Sequence, residues 1–133
     1  MGAPDWLTST IYASAVERVL KAGQTLFRTG ARTVGLYQIV KGKVRLARLD
    51  RSGREAVLQA AGPGDTFAEA SLFSSTYHCD AIATTDAIVR LYPKAILIEE
   101  LERDPKIAQA FAAMLAHQVM TLRTRLRDLW IAL

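Results

Sequence analysis

The chain has 133 residues, 50% of them hydrophobic and 23% charged, with 17 Lys and Arg against 13 Asp and Glu for a net charge of +4. That length suits one domain that buries most of its unfolded surface without metal or disulfide, and the composition excludes a disordered chain. The basic residues are scattered over predicted strands and the last helix, with no reading motif beside them, so this chain is not expected to touch DNA by itself. Its single cysteine, Cys79, excludes an internal disulfide and a four-cysteine iron–sulfur cluster within one subunit. Neither a signal peptide nor an apolar run long enough for a bilayer is present, which predicts a cytoplasmic protein with no membrane partner.

Residues 1–15 form an N-terminal segment in which Pro4 to about Ser14 predicts a brief amphipathic helix, weakened by Thr8, Ser9 and Thr10. Residues 16–92 change to short β-branched and apolar runs divided by glycines. Gly42, Gly53 and Gly64 recur every eleven residues, the strand-plus-turn rhythm of a sandwich or barrel. Leu36–Val40 and Lys43–Leu49 flank Lys41-Gly42, and Arg45–Leu49 and Arg54–Gln59 flank Asp50-Arg51-Ser52-Gly53. Both pairs read as β-hairpins. Val44, Leu46 and Ala47 alternate imperfectly with Lys43, Arg45 and Arg48, so one face of that strand is expected to be buried.

Residues 93–104 hold a short helix, Ala95 to Leu101, whose carboxylates Glu99, Glu100 and Glu102 read as a solvated face. Pro105 opens a helix that runs to Leu133 without glycine or proline. Along it Ala108, Ala112, Leu115, Val119, Leu122, Leu126, Leu129 and Leu133 follow at alternating spacings of four and three, an unbroken heptad seam. A second apolar set, Ile107, Phe111 and Met114, is assigned to the helix's own barrel, which leaves the seam for a second chain. Trp130 and the Ile131-Ala132-Leu133 ending likewise mark a missing partner.

Within the β region lies the most informative stretch, residues 62–83. It contains Phe67-Ala68-Glu69 and, ten residues after the glutamate, Cys79-Asp80-Ala81. Together with Ala22-Gly23-Gln24, Leu26-Phe27, Tyr37, Gly42, Gly53-Arg54-Glu55 and Pro63-Gly64-Asp65, it resembles in order and spacing the sensor domain of Crp/Fnr-type bacterial transcription regulators. The resemblance covers about Val16 to Leu133. It implies a mainly β fold with flanking α: a cyclic-nucleotide-binding-type jelly-roll β-barrel plus a long C-terminal dimerisation helix, here residues 105–133. It also implies a homodimer that senses a small effector and reaches DNA only through a helix-turn-helix domain absent from this chain.

By that resemblance residues 62–83 are a phosphate-binding cassette. Glu69 would contact a ribose hydroxyl, and the short helix Ala70 to Phe73, with Ser71 and Leu72, would turn its amides to the phosphate. A hydroxyl of the long helix, Thr121 or Thr124, would meet the base, although Leu122 competes for that register. Two departures stand out. The family glycine before the glutamate is Ala68, which obstructs close backbone approach, and the family's Arg-Ser/Thr is Cys79-Asp80. A phosphate deprived of its arginine loses roughly 3–5 kcal/mol, and Asp80 would add repulsion, so cyclic AMP is not expected to bind usefully.

No cofactor is certain; a cyclic nucleotide or another small effector is compatible with the pattern. A working cyclic-nucleotide site therefore stays open, as does a haem or redox sensor built on His78 and Cys79, though neighbours on a strand face opposite ways. A cupin-like enzyme is the remaining alternative. Only His78 and His117 are available to it, so no catalytic residue and no metal ligand set is assigned.

Overall fold

The computed structural model describes residues 4–132. Among the described residues the elements are α1 (Ser9–Ala13) and then eight strands: β1 (Val16–Leu20), β2 (Thr25–Phe27), β3 (Gly35–Lys41), β4 (Val44–Leu49), β5 (Glu55–Ala61), β6 (Thr66–Phe67), β7 (Asp80–Ala83) and β8 (Ala87–Pro93). A single 3-10 turn, Glu69–Ser71, interrupts the strands, and α2 (Lys94–Arg103) and α3 (Pro105–Ala132) complete the fold. The strands make two antiparallel four-stranded sheets, ordered β1-β8-β3-β6 and β2-β7-β4-β5. This is the expected jelly roll with flanking helices.

The two glycine turns predicted as hairpins behave differently. Asp50–Gly53 does join paired strands: β4 and β5 are antiparallel neighbours, and Asp50 Oδ1 accepts from the amides of Ser52 (2.9 Å) and Arg54 (2.8 Å). Lys41-Gly42 does not. β3 pairs with β6 and β8, while β4 pairs with β5 and β7, so this turn is a corner where the chain leaves one sheet for the other. Gly42 is needed there because φ is +83° and a Cβ would collide with the Asp86 carbonyl. The imperfect alternation of β4 also has a cause. Leu46 faces Gln59 and Ala47 faces Val57, so Leu58 is skipped in a bulge and both Leu46 and Ala47 are buried.

At the N-terminus the helix is shorter than expected because Thr8 caps it: its hydroxyl accepts from the Ile11 amide at 3.2 Å. The residues ahead of it serve packing, for Trp6 is only 1% exposed.

Two apolar clusters hold the fold. Inside the barrel, Phe27 stacks on Tyr77 at 3.8 Å and Tyr37 on Phe67 at 5.4 Å, with Leu20, Ile39, Val44 and Val89 around them. Burial and the neighbouring Tyr77 push the Tyr37 hydroxyl far above the usual tyrosine range. Outside the barrel, Trp6, Ile11, Leu36, Leu72, Tyr92, Leu97 and Phe111 form a second cluster that ties the helices to β3 and β8. Trp6 meets Tyr92 and Phe111 edge to face, at 6.0 and 5.6 Å. Phe111 is buried and Ile107 and Met114 pack beside it, so that face of α3 is spent on its own domain. One carboxylate departs from the solvated-face expectation. Glu100 is 5% exposed and pairs with Arg103, because it lies on the side of α2 that also buries Leu97.

Candidate functional site

The cassette starts where β6 ends. Phe67 pairs with Tyr37 across the β3–β6 ladder and is fully buried in the barrel. The chain then turns through Ala68, the one non-glycine residue with positive φ (+70°) among the described residues. A left-handed alanine costs about 1–2 kcal/mol, so the backbone geometry a glycine would give freely is kept here under strain. The reversal delivers Glu69 to the interior, where it is 4% exposed.

One carboxylate oxygen of Glu69 is engaged by its own chain. Its Oε1 accepts from the Thr66 hydroxyl at 2.6 Å and from the side-chain amide of Gln118, on α3, at 3.0 Å. Thus the carboxylate expected to receive a ribose hydroxyl also ties the cassette to the long helix. The helix expected over Ala70–Phe73 is instead the 3-10 turn Glu69–Ser71, closed by bonds from the Ser71 and Leu72 amides to the Ala68 and Glu69 carbonyls (3.2 and 3.1 Å). Its side chains diverge: Ala70 is exposed, Ser71 Oγ lies 3.2 Å from His78 Nδ1, and Leu72 is buried in the outer cluster. A short loop that must send Leu72 outward and Glu69 inward has no length for a regular helix.

The other wall is β7. Ala81 and Ala83 are fully buried in the barrel, and Cys79 packs half-buried against the same cluster. Asp80 does not share that side. Its Oδ1 accepts from the Thr29 amide (2.6 Å) and hydroxyl (3.0 Å), so the repulsion expected of it is displaced onto a loop contact. Burial, and then Asp80, push the Cys79 thiol above its usual value, with Arg48 opposing more weakly. A thiol kept neutral is a poor redox nucleophile. His78 bonds to Ser71 while Cys79 packs into the barrel, so the two do not converge on one ligand.

Thr121 and Thr124 are not brought to the cassette. Their hydroxyls donate back to the carbonyls of His117 and Met120, both at 3.0 Å, and they border a shallow surface concavity with Arg125. Gln118 is the α3 residue that meets Glu69, and sequence reasoning missed it. The available signal was a polar residue continuing the Phe111 and Met114 stripe, seven and four positions on.

The heptad seam divides in two. Ala108 and Leu115 are half-buried, Leu115 against the outer cluster, whereas Ala112 is exposed. Val119, Leu122, Leu126 and Leu129 are 45, 57, 57 and 64% exposed; Leu133 lies outside the described residues. Trp130 and Ile131 extend this bare apolar surface. Among the described residues no helix is long and apolar enough to cross a membrane.

Two antiparallel four-stranded sheets, a cassette between β6 and β7, and a long helix joined to it through a buried carboxylate define a scaffold of the cyclic-nucleotide-binding type. The chain belongs to the cyclic nucleotide-binding domain family, whose model matches residues 17–104. It is 31% identical over 103 residues to the cyclic AMP receptor protein of Thermus thermophilus, covering 77% of this chain and 48% of that protein. Among solved structures it is similar to the Thermus thermophilus catabolite activator protein (TM-score 0.75, 29% identity, 88% of this chain and 55% of that one). It is also similar to the sensor domain of the transcriptional regulator DNR from Pseudomonas aeruginosa (TM-score 0.74, 26% identity, 90% of this chain and 79% of that one). The Crp/Fnr resemblance read from the sequence therefore holds. The chain spans about half the length of the curated relatives it matches.

Proposed function

We propose that this domain is the effector-sensing and dimerising module of a cytoplasmic Crp/Fnr-type transcription regulator, and that cyclic AMP is not its effector. One observation carries the reading: the buried Glu69 joins the cassette to α3 through Gln118. An effector that competes for Glu69 releases Gln118, and the helix that bears the unpartnered apolar seam then shifts. Differential affinity for the two arrangements is what converts binding into a signal. DNA is reached through another domain of the regulator, and no step of this mechanism is enzymatic.

The ligand reading rests on Cys79. Without a guanidinium at that position, a cyclic phosphate loses roughly 3–5 kcal/mol of stabilisation, on the order of a hundred-fold to several-thousand-fold in affinity. Calorimetric titration with cyclic AMP and cyclic GMP tests this. No heat is expected at micromolar ligand for the natural sequence, and Cys79→Arg is expected to gain cyclic AMP affinity by on the order of a hundred-fold. A dissociation constant in the low micromolar range for the natural sequence would make it a cyclic-nucleotide sensor.

A further inference from the structure

The β4–β7 ladder carries an arginine that the cassette pattern does not include. Its register runs Val44 to Ala83, Arg45 to Ile82, Leu46 to Ala81 and Ala47 to Asp80. The paired register ends there; continued by one step past the start of β7, it sets Arg48 opposite Cys79. Opposed residues project to the same side of a sheet, and two positions earlier Leu46 and Ala81 both point into the barrel, 6% and 0% exposed. Arg48 and Cys79 therefore share the barrel-facing side at the open end of the ladder.

Two neighbouring charges are already committed. Arg45 pairs with Glu55 at 3.0 Å, and Asp80 is held by Thr29. Arg48 has no carboxylate within ion-pair distance among the described residues. It is exposed, which leaves its long side chain free to swing over the barrel mouth. Its charge acts on the Cys79 thiol.

We propose that Arg48 is the cation of the effector site, recognising an oxyanion group, carboxylate or phosphate, from the strand that faces Cys79. A guanidinium fork suits either group because it donates two parallel hydrogen bonds to a planar pair of oxygens. It stands one strand away from residue 79, about 5 Å. An anion bound to it is displaced towards β4 by that amount, so the site selects a group spaced differently from the phosphate of a cyclic nucleotide. This deepens the effector-sensing reading and rests on the barrel mouth being the effector site.

Cys79 supplies the test, since it is the only thiol in the chain. Iodoacetate and iodoacetamide consume the same thiolate, so the ratio of their rates cancels thiol pKa and accessibility and reports only preference for the charged reagent. Arg48→Gln is expected to lower the iodoacetate-to-iodoacetamide ratio on the order of fivefold, and Arg48→Lys to retain most of it. Added salt should shrink the advantage of the natural sequence. Equal ratios in the natural and Gln proteins, with circular dichroism unchanged, overturn the proposal. Inorganic phosphate and acetate at matched ionic strength then identify the group: slowing of the iodoacetate reaction by one of them assigns it, and slowing by neither also overturns the proposal. Because no cyclic nucleotide is used, the outcome is independent of the calorimetric titration.

Discussion

The two halves of α3 have the same apolar periodicity and opposite fates. From Pro105 to Gln118 the helix lies on its own domain, with Phe111 2% exposed against Trp6 and the amide of Gln118 on Glu69. From Val119 to Leu129 the seam residues face solvent. The difference is one of reach: the outer cluster ends near Met114 and Leu115, whereas the helix continues for some seventeen more residues, about 25 Å. Periodicity alone reports that a face is apolar, and the extent of the neighbouring domain decides what covers it.

Substitutions along the helix should separate the halves. Phe111→Ala is expected to cost about 3–5 kcal/mol in urea unfolding, because it removes the buried ring that meets Trp6 edge to face. At the junction, Gln118→Ala removes a partner from buried Glu69 and should cost about 1–3 kcal/mol. A neutral result there would mean that the cassette and the helix are not coupled. Ala68→Gly relieves the left-handed alanine and should stabilise the domain by about 1 kcal/mol, while leaving the helix untouched. In the outer half, Leu126→Ala should change the unfolding free energy by no more than about 0.5 kcal/mol when both proteins are diluted until light scattering shows single chains. A loss comparable to that at Phe111 would break the distinction drawn here.

Much of this was legible in the sequence, unevenly. Strand rhythm, the cassette register and the division of α3 into two apolar faces follow from spacing, and spacing survives folding. Which strands pair does not. Lys41-Gly42 and Asp50–Gly53 are both glycine turns between apolar runs, yet only the second joins neighbours, because a corner and a hairpin require the same positive φ. Orientation at the site was equally hidden. Asp80 was expected beside the ligand, but Thr29, fifty-one residues away, draws its carboxylate to another contact. Arg48 acquires its place only from long-range register, whereas Gln118 was marked only by its position on the Phe111 and Met114 stripe, which does not say what it meets. Thr8 was read as a helix weakener and is the helix cap, the role in which a hydroxyl helps rather than competes.

The bare half of α3 is the surface on which this account depends, and its most direct test is light scattering of the purified domain at micromolar concentration. The expected mass is that of two chains of 14.6 kDa each, falling to a single chain with unchanged helix content in Leu126→Glu. A natural-sequence domain that stays at the mass of one chain would contradict the assignment of Val119, Leu122, Leu126 and Leu129 to a second copy.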